Sequence, residues 1–301
     1  MQLVLVLVFL AAPCLSRKPS PEENLGANNP NLYEGDMLLT PKQRAAAEAG
    51  QDVDQVVSRG SARRGRWRDG VFVYSITNSL RRYSRAMDAI RKGINMWAST
   101  TCIKFRERRQ NERSYAYFQM GQGCSSWIGQ TGNPQNINLA GGCWTPGIVA
   151  HEIGHALGLY HEQSRPDRDD YVVIYRQNVI PNQLFNFNKY PRSTIDSLGT
   201  PYDYDSIMHY APKEFSRNNR YTIQPRRQGV RIGNRSYLSK IDIKQVNMMY
   251  RCNGGGGGNP APPPPGNCED TGRYCDYHVP KGDCKTMEIV REKCRKSCRL
   301  C

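Results

Sequence analysis

HEIGHALGLYHE, residues 151–162, holds three of the five histidines in a chain of 301 residues. The residues before it announce a helix: in CWTPGIVAHEIGHALG, Thr145 suits the N-cap and Pro146 the first helical position, where a missing N–H costs nothing. Gly158 suits the left-handed position that ends a helix. His151 and His155 are four residues apart, so both imidazoles project from one face and can reach one metal ion. A third ligand on the next turn would drift off that face. The chain must leave the helix at Gly158 and turn to bring His161 back. Three neutral imidazoles leave a fourth position open, as catalytic zinc requires. Glu152, beside the first ligand, can take a proton from water there. Val149, Ile153 and Ala156 point elsewhere and can pack.

HExxHxxGxxH followed by a methionine turn is the metzincin signature. Glu162 and the later run PYDYDSIMHY (201–210) narrow it, and together these residues closely resemble the astacin family of zinc endopeptidases. The resemblance implies an α+β, two-lobed metzincin-type catalytic domain with a mixed sheet and an active-site helix. It implies one Zn2+ on His151, His155 and His161, with Glu152 as general base and then proton donor to the leaving amine. Met208 is expected beneath the metal in the Met-turn. Tyr210 is expected as a phenol that can ligate zinc and swing to stabilise the oxyanion. His209 reads as structural. WIGQTGNPQNINLAGGC (127–143) is similar to the family stretch leading into the edge strand, with which an extended substrate pairs antiparallel. The cysteine pattern implies Cys102–Cys252 and Cys124–Cys143, where spacing alone leaves three connectivities open. Astacins often prefer an acidic residue just after the cleaved bond. Lys213 and Arg217, soon after the Met-turn, are candidate cations for it, and nothing in the sequence selects either.

Near the start, NLYEGDM (31–37) would pass for an ordinary acidic turn by itself. Beside the peptidase motif it resembles the astacin propeptide, which implies that Asp36 ligates zinc in a latent precursor. A tethered carboxylate competes there at high effective concentration. Release by an activating protease is expected between that motif and Trp67. Arg59–Gly60 is the first choice and RRGR (63–66) the second, although Gly60-Ser61 is not a usual family start. In the family the freed terminus is buried near the glutamate after the third histidine, here Glu162, whose plain reading is a solvated charge.

Composition fixes the setting. MQLVLVLVFLAAPCLS is of secretory-signal length, ends in small residues with Ser16 as its last, and is too short to span a bilayer comfortably. Of eleven cysteines, Cys14 leaves with the signal and ten remain. Six of these crowd into 268–301, a density expected outside the cytosol. Net charge is +15, but the clusters RRGRWR and RERR lack the aromatic interleaving of a base-stacking surface, so nucleic acid is not an expected partner. Acidic substrates or matrix fit better.

The expected order is signal peptide 1–16, pro-segment 17–59, catalytic domain 60–253, Gly/Pro linker 254–266 and a tail from 267 to 301. The pro-segment cannot bury a core of its own, though TPKQRAAAEAGQDVDQVV could form one helix. In the catalytic domain VFVYSI, CIKF, SYAYFQM and INLA read as strands. Met87, Ile90, Ile94 and Trp97 form an apolar stripe at helical spacing. The tail resembles the ShK toxin-like module, which implies Cys268–Cys301, Cys275–Cys294 and Cys284–Cys298. Its channel-blocking Lys-Tyr pair is replaced by Glu288-Ile289, so the tail reads as a docking module for a matrix or receptor partner. The reading is therefore a secreted, extracellular, latent zinc endopeptidase acting on proteins or peptides. The alternative is a secreted toxin or binding protein working through the tail. Asn234-Arg-Ser is the N-glycosylation sequon.

Overall fold

The computed structural model describes residues 19–25, 27, 29, 31–49, 65–191 and 194–252. The leader, the Arg59–Gly60 bond, the linker and the cysteines of the tail lie outside the described residues. Along the chain, β1 (Leu32–Tyr33) and β2 (Met37–Leu38) precede α1 (Pro41–Glu48). Thr40 caps that helix by accepting from the Gln43 N–H at 3.3 Å, and Pro41 begins it. Next come β3 (Val71–Ile76), α2 (Asn78–Arg81), α3 (Ser84–Ala98), β4 (Lys104–Glu107) and β5 (Ala116–Gln119). Then β6 (Cys124–Trp127) and β7 (Gln135–Leu139) lead into α4 (Pro146–Leu157). A second lobe carries the antiparallel pair β8 (Val172–Ile174) and β9 (Ile223–Pro225), and α5 (Lys240–Met249) is the last element among the described residues.

The main sheet runs β1-β2-β6-β7-β5-β3-β4 and is mixed. Four of its strands are the apolar runs expected from alternation. The fifth strand of the catalytic sheet, β6, has no such pattern: CSSW pairs antiparallel with β7 from Cys124↔Leu139 to Ser126↔Ile137. Its place comes from that pairing and from the Cys124–Cys143 disulfide, rather than from side-chain propensity. The N-terminal strands then extend the sheet. β2 lies parallel to β6, with Met37 opposite Ser126 and Leu38 opposite Trp127.

Beneath the sheet, α3 packs on α4. Ile90 and Trp97 of the helical stripe are fully buried, while Met87 and Ile94 flank them half-buried. Each fully buried side chain of this size contributes about 1.5–3 kcal/mol. The Trp97 indole donates to the Ala150 carbonyl at 2.8 Å, so the cost of burying its N–H is offset. Trp67 does the same toward Ala156 at 2.8 Å and stacks on Phe72. Cys102 is bonded to Cys252 across 150 residues, tying the domain's end to its first half. Closing a loop of that length is worth roughly 5 kcal/mol in the chain-entropy picture. Among the described residues, no helix is long and apolar enough to cross a membrane.

Candidate metal centre

Helix α4 opens with Thr145 accepting from the Ile148 N–H at 3.3 Å and Pro146 in its first turn, and it ends at Gly158 with φ +109°. His151 and His155 project from one face, and the turn after Gly158 returns His161 to them. Ring centroids lie 4.6 Å (His151–His155), 4.7 Å (His155–His161) and 5.4 Å (His151–His161) apart. Val149, Ile153 and Ala156, on other faces, are fully buried in the core.

Each imidazole is oriented through Nδ1. His151 donates to the Ile207 carbonyl and His155 to the Leu159 carbonyl, both at 2.8 Å. The Nδ1 of His161 lies 2.9 Å from Glu34 Oε2, and Ser164 Oγ donates to the other Glu34 oxygen at 2.7 Å. A carbonyl can only accept, so His151 and His155 carry their protons on Nδ1 and turn Nε2 lone pairs inward. All three Nε2 atoms face one carboxylate. Asp36 Oδ2 is 3.0 Å from His151, and Oδ1 is 3.3 Å from His155 and 3.1 Å from His161.

Lone pairs opposed to a carboxylate repel unless a cation lies between them. Burial pushes His155 down to about 3 despite Asp36, so its Nε2 carries no proton at neutral pH. Burial works against charge on His161 as well, but Asp36 and Glu34 lift it to about 9. A single proton there can serve Asp36 Oδ1, 3.1 Å away, but still leaves His155 Nε2 without a hydrogen-bond partner. A divalent ion satisfies all four donors at once. Tetrahedral ligands at about 2.0 Å from zinc are about 3.3 Å from one another, which matches the separations to Asp36. Three nitrogens and one carboxylate oxygen form a zinc-type donor set.

Glu152 is fully buried beside this point, and neither of its oxygens has a hydrogen-bond partner. Burial, then the Asp36 and Glu22 carboxylates, push its pKa well above the ordinary carboxylate range. Met208 sits under the cluster: a Cβ on Gly154 would lie 2.7 Å from its Sδ, so glycine at 154 gives the methionine its room. Tyr210 packs on His161 with centroids 4.7 Å apart, and its hydroxyl donates to the Glu34 carbonyl at 2.6 Å. His209 is buried away from the cluster, donating from Nδ1 to the Tyr210 carbonyl, with Nε2 2.7 Å from the Tyr202 hydroxyl.

Glu162 is not a solvated charge. It is buried, accepting from Arg165 at 3.1 Å and from the Asp203 N–H at 2.7 Å, and burial pushes it up to about 8. Asn234 is half-buried, and its side-chain amide donates to the Asp205 and Tyr237 carbonyls at 2.9 and 2.8 Å.

Several residues here carried no sequence signal. Asp242 of α5 accepts from Ser206 Oγ at 2.6 Å and the Ile207 N–H at 2.9 Å, holding the Met-turn. Glu34 and Gly35 take positive φ, 47° and 82°, and that turn aims Asp36 inward. A cation does stand beside the cluster, but it is neither Lys213, bonded to Asn219, nor exposed Arg217. It is Arg235, which donates to Ile207 O at 2.7 Å, His209 O at 3.0 Å and Glu22 Oε1 at 2.7 Å. That same Glu22 oxygen lies 3.8 Å from His151 Nε2.

A further carboxyl, Glu214, is buried against residues 20–23. Ser20 Oγ donates to it at 3.0 Å and the Glu23 side chain shares a hydrogen bond with it. Burial, then Glu23 and Glu22, hold Glu214 well above the ordinary carboxylate range, with Arg235 opposing them. A raised folded pKa gives stability that is full below the unfolded value and lost as pH rises through the folded one. The grip of the N-terminal residues on the domain is therefore expected to weaken toward alkaline pH. Protection of residues 19–49 from a general protease, measured against pH, should decline, and Glu214→Gln should flatten the decline. An unchanged slope in that variant would refute the assignment.

Residues 60–251 match the family described as Astacin (Peptidase family M12A). The chain is 36% identical over 254 residues to zinc metalloproteinase nas-14 of Caenorhabditis elegans, a match covering 78% of this chain and 50% of that protein. It is 43% identical over 192 residues to Tolloid-like protein 1 of Mus musculus, covering 62% and 19% respectively. Among solved structures it is similar to high choriolytic enzyme 1, a hatching enzyme zinc-protease from Oryzias latipes. There the TM-score is 0.59 at 36% identity, over 65% of this chain and 99% of that one. The chain spans half, or less, of the length of these two curated relatives.

Proposed function

Because this chain belongs to the astacin family, we propose that it is a zinc endopeptidase made as a latent precursor, secreted, and active on extracellular proteins or peptides. The observation that carries the reading is the convergence of His151, His155, His161 and Asp36 on one point, with Glu152 beside it. Zinc held there polarises a carbonyl and brings the pKa of water toward neutrality. Glu152 takes the proton from water and returns it to the leaving amine. Tyr210, freed from the Glu34 carbonyl, turns its hydroxyl to the developing oxyanion. Edge strand β6 offers its backbone to an extended substrate.

The pro-segment blocks each of these functions. Asp36 takes the place of a fourth ligand, Glu34 holds the Tyr210 hydroxyl, β2 covers the edge of β6, and Asp36 and Glu22 add to burial in raising the Glu152 pKa. Because β2 is parallel to β6, it runs opposite to an antiparallel substrate and presents no peptide bond in the cleavable sense. Glu22 on Arg235 occupies the place of an acidic side chain following the scissile bond. Cleavage near Arg59–Gly60 by an activating protease removes all of this, and the new terminus is drawn toward Glu162. The tail, 267–301, with Cys268–Cys301, Cys275–Cys294 and Cys284–Cys298 as its bridges, docks the enzyme on a matrix or receptor partner.

Two measurements test the reading. After removal of the pro-segment, denatured protein should be cut, with the activity lost to a chelator and restored by zinc; unimpaired cutting in chelator ends the proposal. A peptide library should show acidic residues just after the cut, and Arg235→Ala should lower that preference by about tenfold or more, as loss of a partly buried ion pair implies. Retention of the acidic preference in the variant would remove Arg235 from the subsite.

A further inference from the structure

When the pro-segment leaves, one more surface opens. Tyr33, Met37, Leu39, Ala46 and Ala47 of the pro-segment are all buried in a cluster whose only fully buried member from the catalytic domain is Tyr190, among the described residues. Ile128, Tyr160, Phe185 and Ile195 pack around it half-buried. Tyr33 is the centre of the contact: its ring lies 5.6 Å from Phe185 and 6.3 Å from Tyr190, and Tyr160 backs Tyr190 edge-on at 5.1 Å. These are the separations at which aromatic rings attract beyond simple burial. The Tyr190 hydroxyl is buried without a hydrogen-bond partner among the described residues, so the site also has an unused polar group.

The position of this cluster along the cleft is fixed by β6. Leu38 pairs with Trp127, and Ile128 follows directly, so the aromatic cluster lies at the C-terminal end of the edge strand. At the other end, Asn24 accepts from the Cys124 N–H at 3.0 Å, near Glu22 and Arg235. A peptide antiparallel to β6 enters at the Ile128 end and leaves toward Arg235. Its residues before the scissile bond pass the aromatic cluster, and those after it pass Arg235.

We propose that Tyr160, Phe185 and Tyr190 form a substrate subsite for an aromatic side chain on the amino side of the cleaved bond, and that Tyr33 of the pro-segment holds this subsite in the precursor. The inference rests on the peptidase reading. With both subsites in use, the preferred substrate carries an aromatic residue before the cut and an acidic one after it.

Profiling of the activated full-length enzyme on a peptide library tests this. Aromatic residues should be enriched at a position preceding the cut. Tyr190→Ala should reduce kcat/KM for aromatic relative to alanine peptides by about tenfold, the scale of one buried ring contact, while Tyr190→Phe should keep the preference. Cleavage with no upstream aromatic preference, or a preference that survives Tyr190→Ala, overturns the subsite and leaves the peptidase reading standing. No cleavage of any peptide overturns both. A second measurement does not depend on the enzyme variants: a synthetic 19–49 peptide should inhibit the activated enzyme about tenfold more strongly than its Tyr33→Ala form. Equal inhibition by the two peptides refutes Tyr33 as the occupant.

Discussion

Glu152→Gln, introduced into the activated protein, is expected to keep its zinc and lose roughly 10²–10⁴-fold in turnover, the range a positioned general base contributes. The amide has the shape of the carboxyl but cannot accept the proton. In the proposed reading the three imidazoles would hold the zinc, and their orientation depends on Ile207, Leu159 and Glu34 or its successor, and not on Glu152. Metal content by atomic spectroscopy and turnover on a quenched peptide should therefore separate. Normal cleavage by the variant would remove Glu152 from the chemistry. Loss of zinc together with activity would make it a structural support of the site instead.

The second large effect concerns latency. Asp36→Ala in the uncleaved precursor is expected to raise its activity on the order of 10²–10⁴-fold, the gain a tether gives to a competing ligand. The substitution removes the carboxylate that touches all three Nε2 atoms, and one of the two that add to burial in raising the Glu152 pKa. It leaves Glu22 on Arg235 and β2 on β6, so activity should stay below that of the fully processed enzyme. Activity of the intact variant, checked for absence of processing by mass, decides the matter. If the uncleaved variant is as silent as the parent, latency comes from the cover and not from the ligand.

The parts of this site that are legible in the sequence are those set by local geometry. A spacing of four positions from His151 to His155 is a helical repeat, and Thr145, Pro146 and Gly158 mark where the helix begins and ends. The same local logic finds β3, β4, β5 and β7 by alternation. Elements fixed by distant partners leave no such trace. Arg235 meets Glu22 across 213 residues, and Glu34 meets His161 across 127. A lone arginine in GNRSY and a lone glutamate in LYEGD look like any exposed charge until the chain is folded. β6 is a strand because β7 and a disulfide make it one, and no composition rule selects CSSW. Glu162, expected as the partner of a freed terminus, is satisfied in the interior by Arg165 and the Asp203 amide, partners its neighbours in sequence do not announce.

The parallel pairing of Met37–Leu38 with Ser126–Trp127 has a practical consequence for inhibitor design. A ligand copied from residues 31–39 would lie in the groove with its backbone reversed, its main-chain amides facing away from the hydrolytic geometry. Such a compound should persist in the presence of its own target, whereas one built on a substrate sequence would be consumed. Retaining Asp36 as its warhead and Tyr33 as its anchor, it would need no unnatural linkage to survive.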